Sequence, residues 1–220
     1  MINSIFVIFS SLFFLNLNGN NLDQKSIDSI NDFPNTIGNY WVYKVTNYQD
    51  NFIDTVQVKI IGRILNPNGT DSLTLWQYTW PNKIDTEYVS IIMDTVKFFH
   101  QTTNRTLANI FIFPFVINED YSNNQPSPAD LYKYEVISNN DNLVSFNGIL
   151  QKISTFQIQK MFYVDSWSPV RQFQVIVDDF SPGLGIIEEA IEYQIGSVGN
   201  EKITVSENWQ LLTGNISSSL

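Results

Sequence analysis

From Tyr40 onward, short runs of β-branched and aromatic residues recur, separated by clusters of Asn, Asp, Gly and Pro. That is how strands joined by turns read in a sequence. Between Pro169 and Asp178, Phe173, Val175 and Val177 share one face, while Gln172, Gln174 and Asp178 share the other. Ile187, Ile191, Tyr193 and Ile195 fall together opposite Glu188, Glu192 and Gln194, and Phe156, Ile158 and Phe162 oppose Gln157 and Gln159. Strands apolar on one side predict an antiparallel sheet with one face toward water. Helical spacing does not persist over a window of about eleven residues. The pattern predicts an all-β protein built on a single antiparallel sheet system, an open or half-closed barrel, with a β-sandwich as the alternative.

The breaks carry their own chemistry. Asn66-Pro67-Asn68-Gly69 joins two apolar runs, and Asn68-Gly69 suits a tight turn with positive φ. Asn139-Asn140-Asp141-Asn142 predicts a turn between a Leu131–Ile137 strand and a Leu143–Ile149 strand. Pro182-Gly183 fits the central positions of a type II turn. Residues 122–130, with Pro126 and Pro128, form the longest predicted loop, and one sheet system across it is preferred to two domains. The stretch from Phe33-Pro34 to Trp41 is echoed from Phe113-Pro114 to Tyr121: each has Ile at the fifth position, Gly38 or Asn118 at the sixth, and an aromatic at the ninth. A proline that ends a segment, a residue that tolerates positive φ and an aromatic anchor would give such a pattern. Chance is the competing explanation over so short a stretch.

Residues 5–17 read IFVIFSSLFFLNL without a charge. A membrane-spanning helix needs about 20 apolar residues, so this run reads as the apolar part of a signal peptide, with Asn18-Gly19-Asn20 near the cleavage point. Met1 to Ser4 carry no Lys or Arg, and a buried N-terminal strand is the competing reading. The expected organisation is a signal peptide over 1–19, a flexible lead-in over 20–32, a β-rich domain over 33–214 and a flexible tail over 215–220. The expected address is secreted or periplasmic, with no integral membrane segment after cleavage.

Composition narrows the chemistry. The 220 residues are 43% hydrophobic and 14% aromatic, and only 15% charged, against about 25% in an average soluble domain. Twelve Lys and Arg against twenty-two Asp and Glu give a net charge of −10, which repels the phosphates of a nucleic acid. Zero cysteines exclude disulfides, thiolate metal sites and cysteine nucleophiles, and the lone His100 excludes any site built on two imidazoles.

Phe33-Pro34-x-x-x-Gly38-Asn39-x-Trp41-x-Tyr43, Asp94-Thr95-Val96-x-Phe98, Thr155-Phe156 and Phe180-Ser181-Pro182-Gly183-Leu184-Gly185-Ile186-Ile187 together resemble a group of uncharacterised secreted bacterial proteins. Order and spacing of the motifs extend over most of the chain after the leader. The resemblance implies an all-β fold, often an open or half-closed barrel, and carries no functional residue with it. The chain departs from the group at Asn118, Tyr121 and Ser154, where Gly, Trp and Gly are usual.

No reactive constellation emerges. His100 follows Lys97-Phe98-Phe99 and reads as a solvated strand-end residue. Pro182-Gly183-Leu184-Gly185 lacks the lysine of a phosphate loop and runs into Glu188-Glu189. Asp178-Asp179, Glu188-Glu189 and Glu119-Asp120 are adjacent pairs, whose members point to opposite faces of a strand. Glu188 and Glu192 share the predicted wet face, whereas Glu189 falls on the apolar one, either at the sheet margin or paired with a cation such as Arg171. Asn139–Asn142 and Asn118–Asp120 offer oxygens to calcium without the EF-hand spacing. No catalytic residue, metal ligand or cofactor is assigned. Trp76, Tyr78 and Trp80 fall on one strand face, with Trp41 and Tyr43 similarly paired and Leu73 and Leu75 opposite the first row. Such a row either packs a barrel core or lines a ligand cavity, and these five are the candidate ligand-binding residues. The expected function is a non-enzymatic exported β-domain that binds a lipid, another hydrophobic small molecule or an envelope protein in a concave sheet. The alternatives are a surface-assembly module pairing through a sheet edge and a glycosidase whose two acids share a cleft.

Overall fold

The computed structural model describes residues 30–67, 72–100, 107–118, 131–165, 172–195 and 202–217. Its strands are β1 (Tyr40–Asn47), β2 (Phe52–Leu65), β3 (Ser72–Thr79), β4 (Ile84–Ile92), β5 (Thr95–Phe99) and β6 (Leu107–Ile112). They continue as β7 (Leu131–Phe146), β8 (Ile149–Asp165), β9 (Gln172–Ser181), β10 (Gly185–Ile195) and β11 (Lys202–Asn215). All eleven belong to one antiparallel sheet, ordered β6-β5-β4-β3-β2-β1-β11-β10-β9-β8-β7, that curls into an open half-barrel. The β-sandwich alternative is not realised. Each strand pairs with its neighbours in sequence, β11 pairs with β1, and only the step from β6 to β7 lacks a ladder. The fold is therefore a cyclic meander open at one seam.

The segment after β6 lies along that seam. The Ile112 N–H donates to the Tyr134 hydroxyl at 3.0 Å, and the Asn118 N–H to the Val136 carbonyl at 2.9 Å. Phe113 and Phe115 stack at 4.4 Å, and both reach Phe180 of β9, which also meets Phe33 at 6.1 Å and Phe111 at 5.0 Å. Phe180 is fully buried, and burying one such ring stabilises by about 1.5–3 kcal/mol. The two Phe-Pro segments thus converge on one ring. Their sixth residues, Gly38 and Asn118, both have positive φ, 96° and 63°, as the echo implies; Tyr121 lies outside the described residues.

The Pro182-Gly183 turn forms as its residues require: Gly183 has φ 73°, and the Leu184 N–H donates to the Ser181 carbonyl at 3.1 Å. Gly185 follows with φ 93°, and a Cβ there would lie 3.3 Å from Pro34 Cγ and 3.5 Å from Trp41 Nε1. Trp41 Nε1 donates to the Leu184 carbonyl at 2.6 Å. The first and last of the sequence motifs therefore dock on each other.

Four expectations need correction. Asn139–Asn142 is no turn: it lies within β7, opposite Phe156 to Ile153 of β8, with Asn142 Nδ2 donating to Thr155 Oγ1 at 2.8 Å. The chain reverses at Asn147-Gly148, where φ is 53° and 75°, the pair of positive values a two-residue hairpin needs. The lead-in is ordered at its end, where Ile30–Asp32 form a 3₁₀ turn and the Asp32 carbonyl accepts from the Gly183 N–H at 2.8 Å. The tail is ordered at its start, since Asn215 ends β11 and the Ser217 N–H donates to Asn39 Oδ1 at 2.9 Å. On β9 the polar face is not the wet one: Gln174 and Ile176 face the interior cavity, Asp178 and Phe180 are buried, and Val175 is buried on the other side. Val177 is half-buried on the other side. The interior accepts these polar groups because β8 supplies Lys160 to Asp178, so polarity does not mark the outside. The side chains of Gln172, Phe173, Tyr193 and Ile195, the Asn68-Gly69 turn and residues 122–130 lie outside the described ones.

Candidate functional site

Alternation along β3 turns Trp76 and Tyr78 inward, and Trp80 follows in the same register. With Tyr43 of β1 and Trp209 of β11 they wall a cavity of about 610 Å³ inside the half-barrel. Trp209 joins the set at right angles. It meets Tyr43 at 5.9 Å and 67°, Trp80 at 5.3 Å and 83°, and Tyr78 at 6.4 Å and 87°. Edge-to-face packing of this kind satisfies the ring quadrupoles and holds each ring in place.

Four of the five residues singled out from the sequence line this cavity, and Trp41 does not. Trp41 is 1% exposed and stacks beneath Trp76 at 4.9 Å and 14°. It supports the wall rather than forming it. Leu73, on the opposite face of β3, is also fully buried.

The rim is acidic. Glu87 of β4 accepts from the Tyr78 hydroxyl at 2.6 Å, and its other oxygen lies 3.3 Å from His100 Nδ1. The hydrogen bond to Glu87 raises the His100 pKa above its ordinary value, against the opposing effect of burial. His100 thus reaches the predicted strand end, with its side chain 62% exposed, and in addition holds Glu87. Tyr78 is pushed well above the usual phenol range, by burial first and then by the Glu87 charge.

The floor is a buried polar cluster. Lys160 of β8 and Asp178 of β9 are both 0% exposed and form an ion pair through Asp178 Oδ2. Lys160 Nζ also donates to Asn109 Oδ1 at 2.5 Å and sits 3.7 Å from the centroid of the Phe111 ring. Asn109 Nδ2 in turn donates to Glu189 Oε2 at 3.2 Å. Asn109 and Glu189 face the cavity, with Lys160 and Asp178 behind them. Burial, and then the Asp178 charge, raise the Glu189 pKa well above the usual carboxylate range. With Glu189 ionised, Asp178 Oδ1 has no donor among the described residues. A Glu189 carboxyl that retains its proton supplies that donor.

Glu189 is therefore on the interior face, as the alternation implies, and its neighbouring cation is Lys160; Arg171 lies outside the described residues. Asp178 and Asp179 point to opposite faces, and Asp179 accepts instead from Gln157 Nε2 at 3.4 Å. Glu188 accepts from Asn208 Nδ2 at 2.8 Å, away from the cavity, and Glu119-Asp120 lie outside the described residues. The acids that do share the cavity are Glu87 and Glu189, with Asp85 beside them. Among the described residues no three His, Cys, Asp or Glu side chains could jointly hold a metal ion. No described helix is long and apolar enough to cross a membrane.

Neither a protein-family model nor a curated protein matches the chain. Among solved structures, the chain is similar to one described as a putative lipoprotein from Parabacteroides distasonis ATCC 8503, with a TM-score of 0.51. That similarity covers 84% of this chain and 98% of the other at 12% identity. The likeness is one of fold.

Sequence reasoning passed over Trp209, Glu87, Asn109 and Lys160. The signal for Lys160 was present: it shares a face with Ile158 and Phe162, just as Asp178 does with Ile176 and Phe180 on the neighbouring strand. Two opposite charges at apolar positions of adjacent strands suggest a buried pair.

Proposed function

We propose that the chain is an exported binding protein that holds a small molecule with a largely apolar body inside the half-barrel. One observation carries the reading: an interior cavity of about 610 Å³ walled by Tyr43, Trp76, Tyr78, Trp80 and Trp209. Clefts that enclose small ligands measure about 300–1,000 Å³ and are mostly apolar with a few polar groups. The rings are already fixed by one another and by Trp41 beneath, so little freedom remains to be lost on binding. Export is supported by the uncharged run over residues 5–17. The motif resemblance to secreted bacterial proteins accords with it, as does the fold shared with the protein described as a putative lipoprotein. Binding rather than turnover fits a rim in which the lone imidazole of the chain is engaged with Glu87.

The test uses N-phenyl-1-naphthylamine, an uncharged fluorescent probe. Saturable binding at one molecule per chain, weakened about tenfold or more by Trp80→Ala, is the expected result. Native mass spectrometry of protein taken from its own host should show a small-molecule adduct that solvent extraction removes. Absence of both the adduct and saturable probe binding would overturn the proposal.

A further inference from the structure

The charge of the lining says what kind of molecule the cavity takes. Three carboxylates, Asp85, Glu87 and Glu189, face the space, and no Lys or Arg does among the described residues. Lys160 lies behind the floor and is neutralised by Asp178. An anionic group would meet three acids there against one imidazole, His100, which is already engaged with Glu87. An uncharged apolar group would cover Glu87 and Glu189 while leaving Glu87 only the partly exposed His100 opposite it and Glu189 only the Asp178-paired Lys160 behind the floor, which is costly. A cation answers both, and the rings contribute, since the negative face of an aromatic ring attracts an ammonium.

Two further observations point the same way. Beside the cavity, Lys83 Nζ lies 4.9 Å from the centroid of the Trp80 ring and 2.8 Å from Asp85, so the protein already sets an ammonium between one of these rings and one of these acids. Beneath the floor, the fully buried Asp178 has an oxygen whose one described donor is the proton of Glu189. The floor carries more acceptors than positive charge.

Resting on the reading of the cavity as a binding site, we infer that its occupant is an organic cation, an alkyl or aryl ammonium whose charged end lies against Glu87 and Glu189 and whose body lies against the rings. A cation beside Glu189 favours the ionised carboxylate, so the Glu189 proton leaves to solvent when the ligand enters, and affinity rises with pH. The groups facing Glu189 are Asp178 and Lys160 from β9 and β8, Asn109 from β6, Tyr43 from β1, Tyr78 from β3 and Glu87 from β4. His100, on the far side of Glu87, acts in the same direction: protonated at low pH, it already supplies Glu87 with a cation.

Calorimetric titration with octyltrimethylammonium, octanol and octyl sulfate, which share one tail, decides the matter. The cation should bind about tenfold or more tightly than octanol, a preference of the size cation–π and ion-pair contacts supply. Octyl sulfate should bind most weakly. Glu87→Gln and Glu189→Gln should each remove most of that preference by weakening the cation without weakening octanol, and Glu188→Gln, away from the cavity, should change nothing. Gln at position 189 keeps an amide donor for Asp178, and matching thermal transitions confirm that the variants fold. Cation affinity should rise between pH 5 and pH 8 in the parent and be flatter in Glu189→Gln. Equal binding of octanol or octyl sulfate, or an unchanged preference in both Gln variants, would overturn the cation and leave the cavity reading intact. Failure of all three probes would overturn both.

Discussion

Replacing Lys160 by Met removes one charge from a place that water does not reach. Lys160 and Asp178 are both 0% exposed and joined to each other, and Asp178 Oδ1 has no described donor besides a protonated Glu189. The substitution keeps most of the volume and strands a carboxylate. Breaking a buried ion pair from one side costs about 3–5 kcal/mol. With a urea slope near 3 kcal/mol/M, the upper end for small proteins, the unfolding midpoint should fall by about 1–1.7 M. A double variant, Lys160→Met with Asp178→Leu, should recover at least half of the loss, because a buried pair exchanged for apolar groups is often near neutral. A loss under about 1 kcal/mol, or a double variant no better than the single, would refute the reasoning.

Three further outcomes follow. The lone His100 gives one clean imidazole signal, and its NMR titration should lie above the ordinary 6.5 and move down in Glu87→Gln, since the bond to Glu87 is the leading cause of the rise. Glu189 has a folded pKa raised well above that of the unfolded chain, so above the ordinary carboxylate pKa the unfolded state binds fewer protons and stability falls as pH rises; Glu189→Gln should flatten that slope in urea melts from pH 5 to pH 8. Gly214→Ala would set a Cβ 2.7 Å from the Tyr40 carbonyl oxygen and should cost about 1–3 kcal/mol by forcing β1 and β11 apart. Gly62→Ala, with open space at that position, should change the thermal midpoint far less.

The fold class was legible because period-two patterning survives even where the polar residues face inward. On β8, Phe156, Ile158 and Phe162 are buried and Gln157 and Gln159 are not, as alternation dictates. On β9 the same alternation is kept but the polar side is the interior one, because Asp178 enters the interior with Lys160 from the neighbouring strand. A pattern within one strand cannot reveal a partner supplied by another. The Asn139–Asn142 run misleads for a related reason: its composition is that of a turn, yet pairing along β8 holds it extended, and the positive φ values fall at Asn147-Gly148. For the site, the row Trp76, Tyr78 and Trp80 was visible as a spacing. That Trp41 lies under it, and that Trp209 and Glu87 stand beside it, depends on curvature, which one strand does not record.

The ladder between the first and last strands has a mechanical side. Tyr40 faces Asn215 at one end of that ladder and Asn47 faces Glu207 at the other, so the polypeptide enters and departs at the same corner. Tension applied through both ends would load those rungs one after another, like a zip fastener, instead of sharing the load among them as in shear. Under stretch, once the Phe33 segment has left the core, that ladder should yield at low force, and the far flank holding the β6 edge should come apart last.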